Sequence, residues 1–192
     1  MSFDEQYKKE KCLWGTEPTP IVKSLLKHKK TGNALDIGSG EGRNSIFLAR
    51  NGFDVTAVDV SKNGIEKLKE ISNKEKLKIN ANIEDIRNFD FNQSYDVIIS
   101  IATLHFLKIG DIVKMISKIK KYTKKGGLNA ISVFTDENDE KGFPYLFKKE
   151  ELKKFYKDWE ILFEREFIGP LEKHGDNGKW HKHAVAVIIA RK

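Results

Sequence analysis

Apolar positions along this 192-residue chain come as short unbroken runs, separated by longer stretches in which they recur every three or four residues. The first periodic stretch predicts a helix over 20–28, with Ile21, Val22, Leu25 and Leu26 on one face, Thr19 as its cap and Pro20 in its first turn. A buried strand is predicted at 34–37, then a helix over 41–50 with Ile46, Phe47 and Leu48 inward, ending near Asn51 and Gly52. The run at 55–58 is a second strand. Ser61 caps a helix carrying Ile65, Leu68 and Ile71 on one stripe, followed by a third strand over 77–81 and a fourth, YDVIIS, over 95–100. Asp111 opens a helix with Ile112, Met115, Ile116 and Ile119 inward. Lys124, Lys125 and Gly126 close it, where cations suit the carboxyl end of the dipole, and 128–134 is a fifth strand.

The rhythm then changes. A lysine-rich helix near 148–156 leads to a strand over 159–167 and a last strand, AVAVIIA, over 184–190, joined through 169–183 with the turn signal Asp176-Asn177-Gly178 in the middle. Strands alternating with helices imply an α/β doubly wound, mostly parallel sheet, and the closing hairpin places the last strand antiparallel to its neighbours. One domain over 1–192 accounts for the whole pattern.

Composition narrows the class. Hydrophobic residues make up 39% of the chain, which supports a folded core despite 33% charged residues. No apolar run approaches the roughly 18 residues of a membrane span, and MSFDEQYKKEK holds no apolar signal core, so no membrane partner and a cytoplasmic location are expected. The single cysteine, Cys12, excludes an intrachain disulfide and a cysteine-built zinc site, and reads as a small buried or half-buried filler. A net charge of +7 raises nucleic acid as a partner. The lysines, however, scatter over predicted helix faces with no zinc finger or RNA-binding aromatic signature, so solvated faces are the better reading.

The candidate chemistry starts at ALDIGSGEGRNS, residues 34–45. In an open α/β sheet, ligands sit beyond the carboxyl ends of the strands at the switch point, here the end of the first strand. A pyrophosphate turn needs G-x-G-x-x-G, but Gly38, Gly40 and Gly42 are spaced G-x-G-x-G, and Arg43 stands where the last glycine belongs. Glu41 also brings a carboxylate to the amino end of the helix, where a pyrophosphate has to lie. A ligand with an amino-acid tail and a nucleoside, but no phosphate, fits better: the glycines admit its close approach and Asp36 suits its ammonium group. Asp59, ending VTAVD, is placed to accept both hydroxyls of a ribose, and Asp85-Ile86 offers a carboxylate and an amide to an adenine edge.

LDIGSGEGRNS, VTAVDVS, NIEDI, YDVIISIATLHFL and KKGGLNAISVF resemble the successive motifs of class I S-adenosylmethionine-dependent methyltransferases over about 31–134. More narrowly, GRNS, LARNGFDVTAVD, FPYLFKKEELKKFYKDWEIL and the return ending AVAVIIARK resemble the tellurite-resistance methyltransferases across nearly the whole chain. The resemblance implies a three-layer, Rossmann-like, seven-stranded fold in which 1–30 is an N-terminal lid and helix, 31–134 the cofactor-binding core and 135–192 a substrate-side helix and hairpin. It also implies S-adenosylmethionine, leaving as S-adenosylhomocysteine, held by Asp36, Gly38, Ser39, Gly40, Asp59, Val60, Asp85, Ile86 and Ile101. Tyr7 and Trp14 would close over its methionine end; Trp14 reads equally as a core aromatic.

A sulfonium is already a strong electrophile, so the protein mainly aligns the acceptor and excludes water. A soft acceptor such as a thiol, selenium or tellurium species needs little further help, and this is the expected small-molecule substrate. His105 sits where this fold faces its substrate, and the hairpin adds His174, His181 and His183. His105, His174 and His181 are the candidate catalytic residues; the hairpin histidines suit a partly cationic, anion-facing rim, and no metal is expected. The resemblance implies a histidine and arginines on the return loop, but the matching positions read Glu172, Lys173 and Trp180, which puts tellurite itself in doubt. Adenine amino methylation needs a Pro-Pro-aromatic turn where Ser100-Ile101-Ala102-Thr103 stands, and cytosine chemistry needs a nucleophilic cysteine near the sheet. The rivals are a cofactor-sensing protein without catalysis and a methyltransferase for another small molecule or nucleic acid; a monomer or homodimer is expected.

Overall fold

Runs of β-branched and other apolar residues that can be buried on both faces form the middle of the sheet. The strands are β1 (Gly32–Ile37), β2 (Phe53–Asp59), β3 (Ile79–Ile83), β4 (Tyr95–Ile101), β5 (Thr123–Phe134), β6 (Glu160–Glu172) and β7 (His181–Arg191). The helices are α1 (Phe3–Lys9), α2 (Pro20–Leu25), α3 (Arg43–Arg50), α4 (Lys62–Glu75), α5 (Ile109–Tyr122) and α6 (Glu151–Phe155). This structure, a computed structural model, describes residues 2–9, 12–173 and 180–192. The turn signal at 176–178 and His174 lie outside the described residues.

The sheet runs β3-β2-β1-β4-β5-β7-β6, with parallel pairing from β3 to β5 and β7 antiparallel to both β5 and β6. Its order reverses at β1, which opens the crevice between the ends of β1 and β4. On one face, α5 and α6 bury Ile112, Met115, Ile116 and Leu152 against Leu35, Ile98, Ile131 and Ile188. On the other, Val22, Leu25 and Leu48 of α2 and α3 pack on Ala34, Val97 and Ile99. Among the described residues no helix is long and apolar enough to cross a membrane.

Several boundaries differ from the sequence pattern for identifiable reasons. The helix expected from residue 41 begins at Arg43, because Gly42 before it holds the left-handed conformation at φ 84°. The third strand starts two residues later than expected: Lys76, at φ 53°, ends α4, and Leu77 donates back to the Ser72 carbonyl. Residues 124–126 are strand rather than the end of α5. Thr123 Oγ1 donates to the Ile119 carbonyl and turns the chain directly into β5, and Lys124 pairs with Asp96 at 2.8 Å. Cys12 is exposed rather than a filler, since the loop after α1 lies on the outside of the domain. The cap at Ser61 stands as expected, its hydroxyl accepting from Gly64 N at 3.0 Å.

Candidate cofactor site at the switch point

The loop from Gly38 to Gly42 is held by backbone shape. Gly38, Gly40 and Gly42 all have positive φ, at 75°, 55° and 84°. A Cβ on Gly38 would lie 2.1 Å from Thr103 Oγ1, and one on Gly42 would lie 2.3 Å from Leu68 Cδ1. Gly42→Ala therefore combines left-handed strain with overpacking. It is expected to destabilise the protein by about 2 kcal/mol, roughly 5 °C in a chain of this size, measured by thermal melting. An unchanged melting temperature would contradict the close packing of this loop on α4.

Asp59 organises the turn from the end of β2. Its two carboxylate oxygens accept from Gly40 N and Ser61 N, each at 2.8 Å, tying the glycine loop to the first turn of α4. Burial raises its pKa, partly offset by those backbone donors. A carboxylate oxygen has two lone-pair directions, so both still have room for a hydroxyl. Asp36, 1% exposed at the end of β1, accepts from Ser45 Oγ at 2.6 Å. Burial pushes its pKa up to about 7, with the Asp59 charge adding to the shift. Ser39 Oγ beside them is buried and makes no hydrogen bond within the protein. Two buried carboxylates, an unpaired hydroxyl and a loop whose glycines admit close approach fit a ligand that is cationic at one end and rich in hydroxyls at the other.

The N-terminal segment closes over this loop. Asp4 of α1 accepts from Ser61 Oγ at 2.7 Å and Asn63 N at 2.9 Å, locking α1 onto the start of α4. Tyr7 is buried, with its hydroxyl 2.7 Å from where a Gly40 Cβ would be and accepting from Trp14 Nε1 at 3.0 Å. Burial pushes the Tyr7 pKa up to about 12. Trp14 is half-buried in this lid rather than in the core, and its carbonyl accepts from Arg43 at 2.7 Å. Glu41 faces the lid: it accepts from Leu13 N at 2.8 Å and pairs with Lys67 at 2.6 Å.

The remaining sequence-derived positions divide. Val60, 66% exposed, and Ile101 flank the crevice, and Ile86 is buried in the main core. Asp85 follows β3 as expected, but its carboxylate is engaged by Arg87, which holds its pKa down. His105 is fully buried, its Nδ1 accepting from Phe134 N at 3.2 Å and its ring stacked on Phe134 at 4.0 Å. Burial drives its pKa down to about 3, so it is neutral and Nε2 carries a proton with no partner. That makes it a poor base.

β7 brings His181 and His183 onto one buried face, with their Nε2 atoms 3.1 Å apart. Asn138 Oδ1 accepts from Ala184 N at 3.1 Å and contacts His183 Nδ1 at 3.0 Å. His183 Nδ1 therefore donates to Asn138, and the contact between the two Nε2 atoms holds one hydrogen between the rings. Among the described residues no three histidine, cysteine or acidic side chains converge as a metal site. Asn138 and Thr103 are contributors that the sequence reading missed. Thr103 bridges the β1 and β4 loops through Gly38 O and Ile101 O, next to Ala102 at φ 54°, a backbone strain no residue pattern signals.

This strand order, with a glycine turn after β1 and an acidic residue ending β2, is the class I methyltransferase fold. The crystal structure of TehB from Haemophilus influenzae superposes with a TM-score of 0.82 at 36% identity, covering 89% of this chain and 61% of that one. At 19% identity, the fold alone is shared with a Burkholderia thailandensis 1,6-didemethyltoxoflavin-N1-methyltransferase, TM-score 0.74, over 99% of this chain and 85% of that one. Residues 3–189 match the family described as Tellurite resistance protein TehB, and the chain belongs to that family. A Haemophilus influenzae protein named probable S-adenosyl-L-methionine-dependent methyltransferase TehB is 37% identical over 161 residues, 82% of this chain and 56% of that protein. The chain thus spans little more than half the length of that relative.

Proposed function

We propose that this protein is an enzyme that transfers the methyl group of S-adenosylmethionine to a small soft nucleophile: a thiol, selenium or tellurium species. The observation that carries the reading is the junction of Asp59 with Gly40 N and Ser61 N at the switch point, with the buried Asp36 at the end of the neighbouring strand. When bound, the cofactor supplies an electrophilic methyl group. The chain's own residues bind and shield it. Asp59 takes the ribose hydroxyls, Asp36 the ammonium, and the Gly38–Gly40 backbone with Ser39 Oγ the methionine end. Val60 and Ile101 flank the adenine, whose edge faces the Asp85-Ile86 turn. Tyr7 and Trp14 close the lid and exclude water.

His181 takes the proton released by a protonated acceptor. With its Nε2 in hydrogen-bond contact with His183 Nε2 and His183 fixed by Asn138, the charge that arrives on His181 is shared along the pair. His105 positions the Phe134 strand end from its neutral, buried ring.

Labelled S-adenosylmethionine incubated with a panel of thiols, selenite and tellurite is expected to give a methylated acceptor. Cofactor binding without transfer to any of them would leave a sensing protein in its place. His181→Gln is expected to lower kcat for a thiol by at least about tenfold near pH 7.5, a loss that shrinks above about pH 8.5 where the thiol ionises unaided. A pH-independent effect would remove the proton role.

A further inference from the structure

A row of rings runs along the ligand edge of the sheet, from the lid to the histidine pair. Phe3 of α1 packs against Trp14 at 6.0 Å and meets Phe106 edge to face at 5.5 Å. Phe106 meets Phe143 at 5.3 Å, Phe143 meets Phe134 at 5.2 Å, and Phe134 stacks on His183 at 4.1 Å. Phe3 and Phe106 are 40% and 41% exposed. None of Phe3, Phe106, Phe134 and Phe143 belongs to the core clusters, so this partly exposed row, which leads from the cofactor lid to the histidine pair, is not explained by core packing. Trp180, 66% exposed, stands at the far end beside His181.

Among the described residues, the charges beside the lid do not favour a bare oxyanion. Asp4 and Glu41 add carboxylates beside those assigned to the cofactor, and the cations there are engaged, Arg43 by the Trp14 carbonyl and Lys67 by Glu41. Recognition of a selenite or tellurite oxyanion calls for guanidinium or ammonium donors aimed at it.

We infer that the acceptor's reacting atom is carried on a flat aromatic body, as in an aryl thiol or aryl selenol, which stacks along the Phe3–Phe106–Phe143 row. This rests on the methyl-transfer reading above and specifies its substrate. The balance is simple. The aryl S–H or Se–H loses its proton to His181, the chalcogen lone pair forms the new bond to the methyl carbon, and the methyl–sulfonium bond breaks to leave neutral S-adenosylhomocysteine.

The test measures S-adenosylhomocysteine release by the full chain with thiophenol, 2-mercaptoethanol, sulfide, selenite and tellurite, reading KM and kcat separately because aryl thiols ionise more readily. Thiophenol is expected to show the lowest KM. Phe106→Ala, at an exposed position, is expected to raise the thiophenol KM about three- to tenfold relative to that of 2-mercaptoethanol, and Phe106→Tyr to restore the ratio. Equal or better use of 2-mercaptoethanol, sulfide or the oxyanions, or a ratio indifferent to Phe106→Ala, would overturn the aromatic acceptor and leave soft-nucleophile transfer standing. Turnover with none of the five, while S-adenosylhomocysteine still binds, would overturn both.

Discussion

Asp59→Ala is expected to weaken S-adenosylmethionine binding about 100-fold, near 3 kcal/mol, the scale of one to two hydrogen bonds to a charged acceptor. The effect has two parts. The ribose loses its acceptor, and Gly40 N and Ser61 N lose the carboxylate that holds loop and helix together. Asp59→Asn separates them: the amide keeps one acceptor oxygen but presents donors to the other backbone N–H, so a smaller loss of affinity is expected with a similar lowering of stability. Calorimetric titration alongside thermal melting reads both. Affinity unchanged in Asp59→Ala would remove the ribose assignment.

The second large effect is a pH dependence. Asp36 titrates near 7 in the free protein, because its carboxylate is buried and lies near Asp59. An ammonium placed against it favours the ionised form, so affinity for the cofactor is expected to fall toward tenfold per pH unit below 7, until the pKa of the complex is passed. A plateau should follow up to about pH 8, where an α-amino group begins to lose its own proton. Folding stability moves oppositely. With the folded pKa above the unfolded one, the contribution of Asp36 is fully present below about pH 4 and is lost as pH rises through about 7. Asp36→Asn should flatten both profiles; a dissociation constant independent of pH between 5.5 and 8 would contradict the pairing.

The parts of this fold legible in the sequence are those where local pattern and burial agree. Ala34 to Ile37, Val55 to Val58 and YDVIIS are apolar because both faces of these strands are covered, so their position and the glycine turn between them could be read directly. The lid was legible as a region, through Tyr7 and Trp14, but the helix within it was not. Helix α1 is set by Asp4 reaching Ser61 and Asn63, fifty-seven and fifty-nine residues away, a contact with no local signature. His105 shows the opposite limit. Its residue type suggests chemistry, but the fold encloses it between rings and strips it of charge. The row from Phe3 to Phe143 is likewise assembled by topology, drawing on the lid, the loop after β4 and the segment after β5.

The central claim is that the turn after β1 holds S-adenosylmethionine rather than a dinucleotide. Isothermal titration of the full chain with S-adenosylhomocysteine, in competition with S-adenosylmethionine and with NAD, tests it most directly. One site per chain, shared by the first two ligands and blind to NAD, is the predicted result. Absence of binding by either, or a site that NAD fills and S-adenosylhomocysteine fails to displace, would contradict it.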